Sequence, residues 1–190
     1  CRDVVSCPVF NAVQAGADAV AGIQADPVGV ISTVFTHNSR IYPKKILERS
    51  PKKVVVLSCG CPDLAGLVEH SLGDPRGMDQ VEEELRRELG PMVERDKIQC
   101  CVLGCTHYPL VADRIRRPYP ELPLIDPAEE MARSLADYLE RSDLAREGRG
   151  EGKLTIYTTG DVEEYTLRAR QVGLERVDSV QFYPPMELCS

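Results

Sequence analysis

Apolar runs and amphipathic segments alternate along the chain and predict repeated strand–helix units. The strand-like runs are Pro8–Val13, Val28–Thr33, Lys53–Cys59, Ile98–Gly104, Leu122–Ile125, Leu154–Thr159 and Val180–Tyr183. Segments with helical character lie between them, at 15–23, 38–49, 62–72, 78–95, 109–117, 128–141 and 161–172. Because a repeated strand–helix order gives parallel strands joined by helical crossovers, we expect an α/β fold.

Two of the predicted strands are apolar on both faces. Val54–Leu57 and Cys100–Leu103 show no alternation of apolar and polar positions, which is typical of parallel strands covered by helices on both sides. Segment 128–141 has its apolar residues on one helical face only, as expected for a helix that packs on a sheet. The charged, glycine-rich stretch Ser142–Lys153 predicts a surface loop.

Composition narrows the class of protein without deciding its chemistry. The 190 residues are 43% hydrophobic and carry a formal net charge of −7, which argues against nucleic acid or an anionic membrane as the main partner. No uninterrupted apolar stretch approaches the roughly 18–20 residues of a membrane span, and no signal-peptide pattern is visible. We therefore expect a soluble, cytoplasmic protein.

Eight cysteines raise the question of disulfides or a metal. They stand at positions 1, 7, 59, 61, 100, 101, 105 and 189. Most lie within or at the ends of apolar strands, unlike the cysteines of a small disulfide scaffold, so we expect reduced thiols. A zinc site is disfavoured because Cys59 and Cys61 lack the usual spacing of structural zinc ligands, and because adjacent Cys100 and Cys101 point to opposite faces of a strand. We expect no metal.

The segment Gly104-Cys105-Thr106-His107 carries the strongest chemical signal. It lies between a buried strand and a predicted helix, where open α/β sheets place ligand sites and where a helix terminus favours a thiolate. His107 is close enough to exchange a proton with Cys105, and Thr106 with the first helix amides can bind a carboxylate. The alternative interpretation is a buried cysteine followed by a capping threonine and a surface histidine.

A second strand end offers hydroxyl groups. Ser32 and Thr33 end a strand and are followed by Thr36, Asn38, Ser39 and Tyr42. The hydroxyls and the helix-start amides form an anion cradle, or the segment only caps the following helix through Asn38 or Ser39, and both interpretations stay open. Glu69, on the helix after Cys61-Pro62, is by itself typical of a solvated carboxylate.

Together these segments resemble cofactor-independent glutamate racemase, within the aspartate/glutamate racemase superfamily. Leu103–Leu110, which reads Leu-Gly-Cys-Thr-His-Tyr-Pro-Leu, is similar to the second catalytic-cysteine motif of that family. Gly29–Thr36 is similar to the family segment Gly-Val-Ile-Gly-Thr-x-x-Thr, with Ser32 in place of a glycine. Cys61–Glu69 and Leu124–Glu129 are similar to two further family segments, so the resemblance covers nearly the whole chain.

The resemblance implies an isomerase that interconverts L- and D-glutamate with two cysteine bases and no pyridoxal or other cofactor. Carried over to these positions, it implies that Cys105 is one base and that His107 assists catalysis and contacts substrate. It further implies substrate contacts from Thr106, Thr36 and Glu69. The expected role is supply of D-glutamate for peptidoglycan, hence cell-wall biogenesis and cell shape. Glutamate is the expected partner, and a homodimer is one expected assembly.

The resemblance also implies an α/β fold with two similar lobes, each with a mainly parallel sheet flanked by helices. We expect the second lobe over 25–124, carrying the Gly-Cys-Thr-His motif, and the remainder of the first lobe over 1–24 and 125–190.

One part of the family pattern does not occur in this sequence. The family's other cysteine belongs to a Cys-Asn-Thr-Ala motif preceded by an Asp-Ser-Gly strand end, and neither is found here. We therefore expect a truncated chain with one lobe incomplete and no racemase activity of its own. Two alternatives are a racemase of another acidic amino acid and a non-catalytic, racemase-like remnant that acts by binding.

Overall fold

The computed structural model describes residues 5–146, 148, 152–174 and 176–184. They group into two compact units, one reaching Ala145 and one starting at Arg146. The expected division into a lobe over 25–124 and flanking remainders stays a prediction.

The first unit is built on a four-stranded parallel sheet. Its strands are β1 (Val28–Ser32), β2 (Val56–Gly60), β3 (Cys100–Leu103) and β4 (Leu124–Ile125), in the order β2-β1-β3-β4. Each neighbouring pair is parallel. The predicted α/β class with a mainly parallel sheet is therefore confirmed, and the carboxyl ends of β2, β1 and β3 lie side by side at one edge.

Seven α-helices accompany this sheet: α1 (Ala12–Ile23), α2 (Val34–Ser39), α3 (Ile41–Arg49), α4 (Leu64–Ser71), α5 (Pro75–Glu94), α6 (Ala112–Arg116) and α7 (Pro127–Arg141). They cover two separate apolar cores, because alternate residues of a strand face opposite sides. Cys101 and Leu103 pack with α4 and α5 on one face, whereas Cys100 and Val102 pack with α1 and α3 on the other. Burying one such leucine side chain contributes about 1.5–3 kcal/mol.

Three predicted elements differ in the structure. The strand predicted over Pro8–Val13 is wrong, because the Asn11 side chain accepts a hydrogen bond from the Gln14 amide and begins α1 at Ala12. The helix predicted over 38–49 is two helices, broken where Arg40 adopts a left-handed backbone with φ of 52°. The helix predicted over 109–117 begins as a short 3-10 helix, Tyr108–Val111, and only then becomes α6.

The second unit holds one parallel strand pair and one helix. Strand β5 (Thr155–Thr158) pairs with β6 (Ser179–Phe182), and α8 (Val162–Gln171) lies between them in sequence. Asp161 caps α8 by accepting a hydrogen bond of 2.7 Å from the Glu164 amide. These elements match the predicted strands and helix of this region.

Two further expectations from the sequence concern the state of the thiols and the presence of membrane-spanning helices. The six cysteines in the described part are all free thiols, and Cys1 and Cys189 lie outside it. Within the same part of the chain, none of the helices has the length and apolar character that a membrane crossing requires.

Candidate active site

The end of β1 holds the ends of both neighbouring strands in place. The Ile31 carbonyl accepts a hydrogen bond of 2.8 Å from the Gly104 amide, and the Ser32 carbonyl accepts one of 2.8 Å from the Cys61 amide. Both bonds extend the parallel ladders by one residue past the strand ends. The turns that carry Cys105 and Cys61 therefore start from fixed positions on either side of β1.

Gly104 is required by the close approach of its neighbours. A Cβ atom at this position would lie 3.0 Å from the Ile31 carbonyl oxygen, 3.0 Å from Tyr42 Cε2 and 3.1 Å from Ser32 Cβ. The missing side chain lets the backbone pass between β1 and the Tyr42 ring before it turns at Cys105.

Cys105, His107 and Glu69 form one line of contacts at this edge. The half-buried Cys105 Sγ lies 3.7 Å from His107 Nδ1, and His107 Nε2 lies 3.7 Å from Glu69 Oε2. Cys105 and His107 come from the turn after β3, and Glu69 comes from α4. A thiol, an imidazole and a carboxylate in this order are the groups needed to move a proton and stabilise the resulting imidazolium.

Thr106 is exposed within the turn that joins Cys105 to His107. Its predicted contact with a substrate carboxylate stays a prediction, as does that of Glu69.

The thiol chemistry differs from the expectation based on a helix terminus. Burial raises the pKa of Cys105, and a hydrogen bond from the His107 backbone amide lowers it by less. The amide effect that the sequence predicted is present, but desolvation dominates because the thiol is half buried. The resting group is therefore a thiol, and a neighbouring base is needed to generate the thiolate.

The threonines after β1 form a second polar group. Thr33 caps α2 through its Oγ1, which accepts from the Thr36 amide at 3.4 Å and donates to Thr36 Oγ1 at 3.1 Å. Ser39 Oγ donates to the Thr36 carbonyl at 2.6 Å, and His37 Nδ1 lies 2.9 Å from Ser58 Oγ. The cap of α2 is therefore Thr33, whereas Asn38 and Ser39, the caps predicted from the sequence, lie within α2. The anion cradle with Thr36 stays a prediction.

The sequence grouped Tyr42 with the hydroxyl residues after β1, and the structure places it beside the turn that carries Cys105. Its ring packs against Gly104, and its side chain is only 5% exposed. Burial first, then Asp126 and Cys105, raise the pKa of Tyr42 to about 12. It lies at the start of α3, where its apolar neighbours signal a core residue and nothing in the pattern indicates the cysteine beside it.

Comparison with known proteins shows the family of this chain. The family model for Asp/Glu/Hydantoin racemase matches residues 1–135. The chain belongs to this racemase family. A glutamate racemase from Carboxydothermus hydrogenoformans is 34% identical over 134 residues, 70% of this chain and 48% of that protein. A glutamate racemase from Thermus thermophilus is 34% identical over 177 residues, 93% of this chain and 63% of that protein.

Solved structures of the family agree with the fold. A glutamate racemase isoform from Bacillus anthracis superposes with a TM-score of 0.84 at 30% identity, covering 96% of this chain and 66% of that one. The resemblance to glutamate racemase inferred from the motifs is therefore confirmed. The chain spans about half to two thirds of the length of these relatives.

Proposed function

We propose that this chain carries one proton-transfer half of an amino-acid racemase site, with glutamate as substrate and no cofactor. The line of contacts Cys105–His107–Glu69 at the carboxyl end of β3 is the observation that carries the proposal. The sequence relatives named glutamate racemase support the substrate.

In the proposed reaction, Cys105 acts on one face of the substrate α-carbon. His107 takes the thiol proton, and Glu69 stabilises the imidazolium that forms. The thiolate then removes the α-proton, and the electron pair of the C–H bond remains on the substrate as a carbanion delocalised into its carboxyl group. A second acid delivers a proton to the opposite face and inverts the centre.

The polar residues around Cys105 have binding roles in this proposal. Exposed Thr106 and the turn amides bind the α-carboxylate, where negative charge develops in the transition state. Thr36, in the threonine group after β1, contacts the substrate from the neighbouring strand end. Its 3.1 Å bond to Thr33 orients its hydroxyl.

Racemisation and proton exchange of glutamate test the proposal together. The chain, and any longer product of its gene, is incubated in D₂O with L- or D-glutamate, and with L- or D-aspartate as the comparison. Optical rotation reports inversion, and proton NMR reports exchange of the α-proton. We expect inversion of glutamate by a form that supplies the second acid.

Each alternative function gives a different outcome. Faster inversion of aspartate would replace glutamate as the substrate and indicate a racemase of another acidic amino acid. Neither inversion nor exchange with any form of the protein would contradict a catalytic role and favour the non-catalytic remnant, whose motivation is the absence of the Cys-Asn-Thr-Ala motif from this sequence.

The proposal extends to the cellular role. We infer a cytoplasmic enzyme that supplies D-glutamate for peptidoglycan and thereby supports cell-wall biogenesis and cell shape, acting as a homodimer. Rescue of a bacterial strain that requires external D-glutamate tests the role, and light scattering of the purified protein tests the assembly. Failure of rescue by a form that is active in vitro would contradict the role.

A further inference from the structure

A second group of ligand atoms lies beside the candidate active site. Cys59 is in β2, Cys61 follows that strand directly, and Glu88 faces both from α5. Their two sulfur atoms and one carboxylate oxygen all lie within 4.8 Å of one another. The Cys59 thiol donates to Glu88 Oε2 at 3.1 Å. Ligand atoms around tetrahedral zinc are about 3.3–3.8 Å apart, so a small contraction would complete this geometry.

The carboxylate of this group is already oriented. Arg87 Nη2 lies 3.1 Å from Glu88 Oε1 and 2.5 Å from Glu84 Oε1. The guanidinium therefore holds one oxygen of Glu88, while the other oxygen faces Cys59. Metal-binding carboxylates commonly have such a partner outside the ligand shell, because it fixes their orientation.

A buried hydroxyl lies beside this group. Tyr108 is fully buried, and its Oη has no hydrogen bond of normal geometry within the described part of the chain. The Cys61 thiol is close enough to this hydroxyl to interact with it. Buried polar groups rarely stay unpaired. A Cys61 thiolate is a strong acceptor for this hydroxyl, and a thiolate is the form that binds a metal.

Without a metal, two thiolates and a carboxylate would place three negative charges within 4.8 Å of one another. Like charges at this distance repel one another strongly at a half-buried position. A divalent cation removes this repulsion. Two thiol protons leave as the metal binds, and the bound group of two thiolates, one carboxylate and the metal keeps the net charge that the carboxylate alone has without metal.

We propose that Cys59, Cys61 and Glu88 form a binding site for a thiophilic divalent cation of the zinc class, with a fourth position open to water. The bound cation ties the end of β2 to α5. The site is separate from the Cys105–His107–Glu69 line and does not depend on racemase activity.

Zinc itself is the probe. The chain is stripped of metal under a non-thiol reductant, in a background with Cys1, Cys7 and Cys189 changed to Ser so that these three thiols do not contribute. Zn²⁺ is titrated against a chromophoric chelator, and Co²⁺ gives the thiolate-to-metal absorption band. We expect one Zn²⁺ per chain, release of two protons, and a higher melting temperature with zinc present.

Variants locate the binding. Cys59→Ser and Glu88→Gln should each weaken Zn²⁺ binding by about a hundredfold or more and abolish the zinc-dependent rise in melting temperature. Cys105→Ser is the control thiol and should leave the affinity unchanged. Glu88→Gln keeps the side-chain volume and is expected to fold. It therefore still tests the metal site if Cys59→Ser fails to fold.

Three results would overturn the site. They are no binding at micromolar Zn²⁺, unchanged affinity in both Cys59→Ser and Glu88→Gln, and loss of binding in Cys105→Ser.

Discussion

Two strand ends on either side of β1 carry thiols in different settings. Cys105, after β3, faces an imidazole and receives a backbone hydrogen bond. Cys59 and Cys61, at the end of β2, face one another, a carboxylate and a buried tyrosine. The first thiol lies beside an imidazole that can take its proton, whereas the second pair lies beside a carboxylate that accepts a hydrogen bond from Cys59.

The difference shows that position at a strand end does not decide thiol chemistry. Both regions lie at the carboxyl edge of the same sheet, on either side of β1. The neighbours differ instead: His107 and Glu69 lie beside Cys105, and Glu88 from α5 lies beside Cys59 and Cys61. On this difference we base the proposals of proton transfer and of metal binding. The predictions below test that distinction.

The largest expected effect is on proton transfer by Cys105. Cys105→Ser should lower glutamate racemisation by about 10²–10⁴-fold, because serine is far harder to deprotonate and this is the usual contribution of an acid–base group. Stopped assays of optical rotation measure it, in whichever form of the protein turns over glutamate. Cys7→Ser, an exposed thiol, is the control. A racemisation rate of Cys105→Ser near that of the control would contradict the assignment of Cys105 as a base.

Rates of thiol alkylation should differ between the two regions, and they can be measured without any substitution. Cys61 is 1% exposed and should react with iodoacetamide about a thousandfold or more slowly than the exposed Cys7, since it reacts only when the fold opens. Half-buried Cys105 should react at an intermediate rate. Peptide mass spectrometry with time gives each rate. Equal labelling of Cys61 and Cys105 would contradict the contrast in accessibility.

Alkaline pH should destabilise the fold through Cys100, which lies on the same strand as the start of the Cys105 turn. Burial raises the pKa of Cys100 to about 11, whereas an unfolded thiol titrates near about 8.5. The unfolded chain therefore loses this proton first, and stability present below about pH 8.5 is lost towards about pH 11, by roughly 3 kcal/mol.

Urea unfolding across that pH range measures the loss. Cys100→Ala should show a correspondingly flatter decline, and Cys7→Ser should keep the wild-type slope. Parallel declines in Cys100→Ala and wild type would show that other groups are responsible.

Gly104→Ala should destabilise the turn that presents Cys105. The added Cβ meets backbone oxygen and the Tyr42 ring at 3.0 Å, and such overpacking costs about 1–3 kcal/mol. Gly66→Ala is the matched control, because a Cβ there meets nothing within 4 Å on helix α4 and should stabilise by about 0.5–1 kcal/mol. Urea denaturation compares them, and an equal effect of both variants would contradict the close approach.

The smallest effect should come from Glu69→Gln. The Glu69 side chain is 46% exposed and lies 3.7 Å from His107, and an exposed pair of this kind contributes at most about 1 kcal/mol. Racemisation should fall by no more than about fivefold, and Zn²⁺ affinity should not change. Glu88→Gln should show the reverse pattern. If both substitutions affected both measurements, the two regions would not be independent.

Much of the sheet was predictable, because its strands have the apolar runs that a doubly covered parallel sheet requires. The runs at Val28–Ser32 and Cys100–Leu103 are unbroken, and both strands are buried throughout. The motif around Cys105 was predictable from glycine, cysteine and histidine spacing. The false strand at Pro8–Val13 had comparable apolar content, but Asn11 in its middle caps a helix, and local capping outweighed the apolar pattern.

The contacts between distant segments were not predictable. Glu88 lies 29 residues from Cys59 along the chain, so their meeting depends on how α5 packs on β2. One signal was available, because Glu88 falls between Leu85 and Met92 on the buried stripe of α5. A carboxylate at helical spacing within an apolar stripe needs a partner. The raised pKa of Cys105 could not be predicted from the sequence either, because desolvation depends on the packed structure.

The carbonyl groups of Ile31 and Ser32 have a mechanical consequence. Adjacent residues of β1 receive the Gly104 amide from one side and the Cys61 amide from the other. The two thiol turns are thus held by two consecutive peptide units of one strand, Ile31–Ser32 and Ser32–Thr33. A substitution that shifts this end of β1 is therefore expected to displace both turns, because a close-packed interior has little free space to absorb the shift.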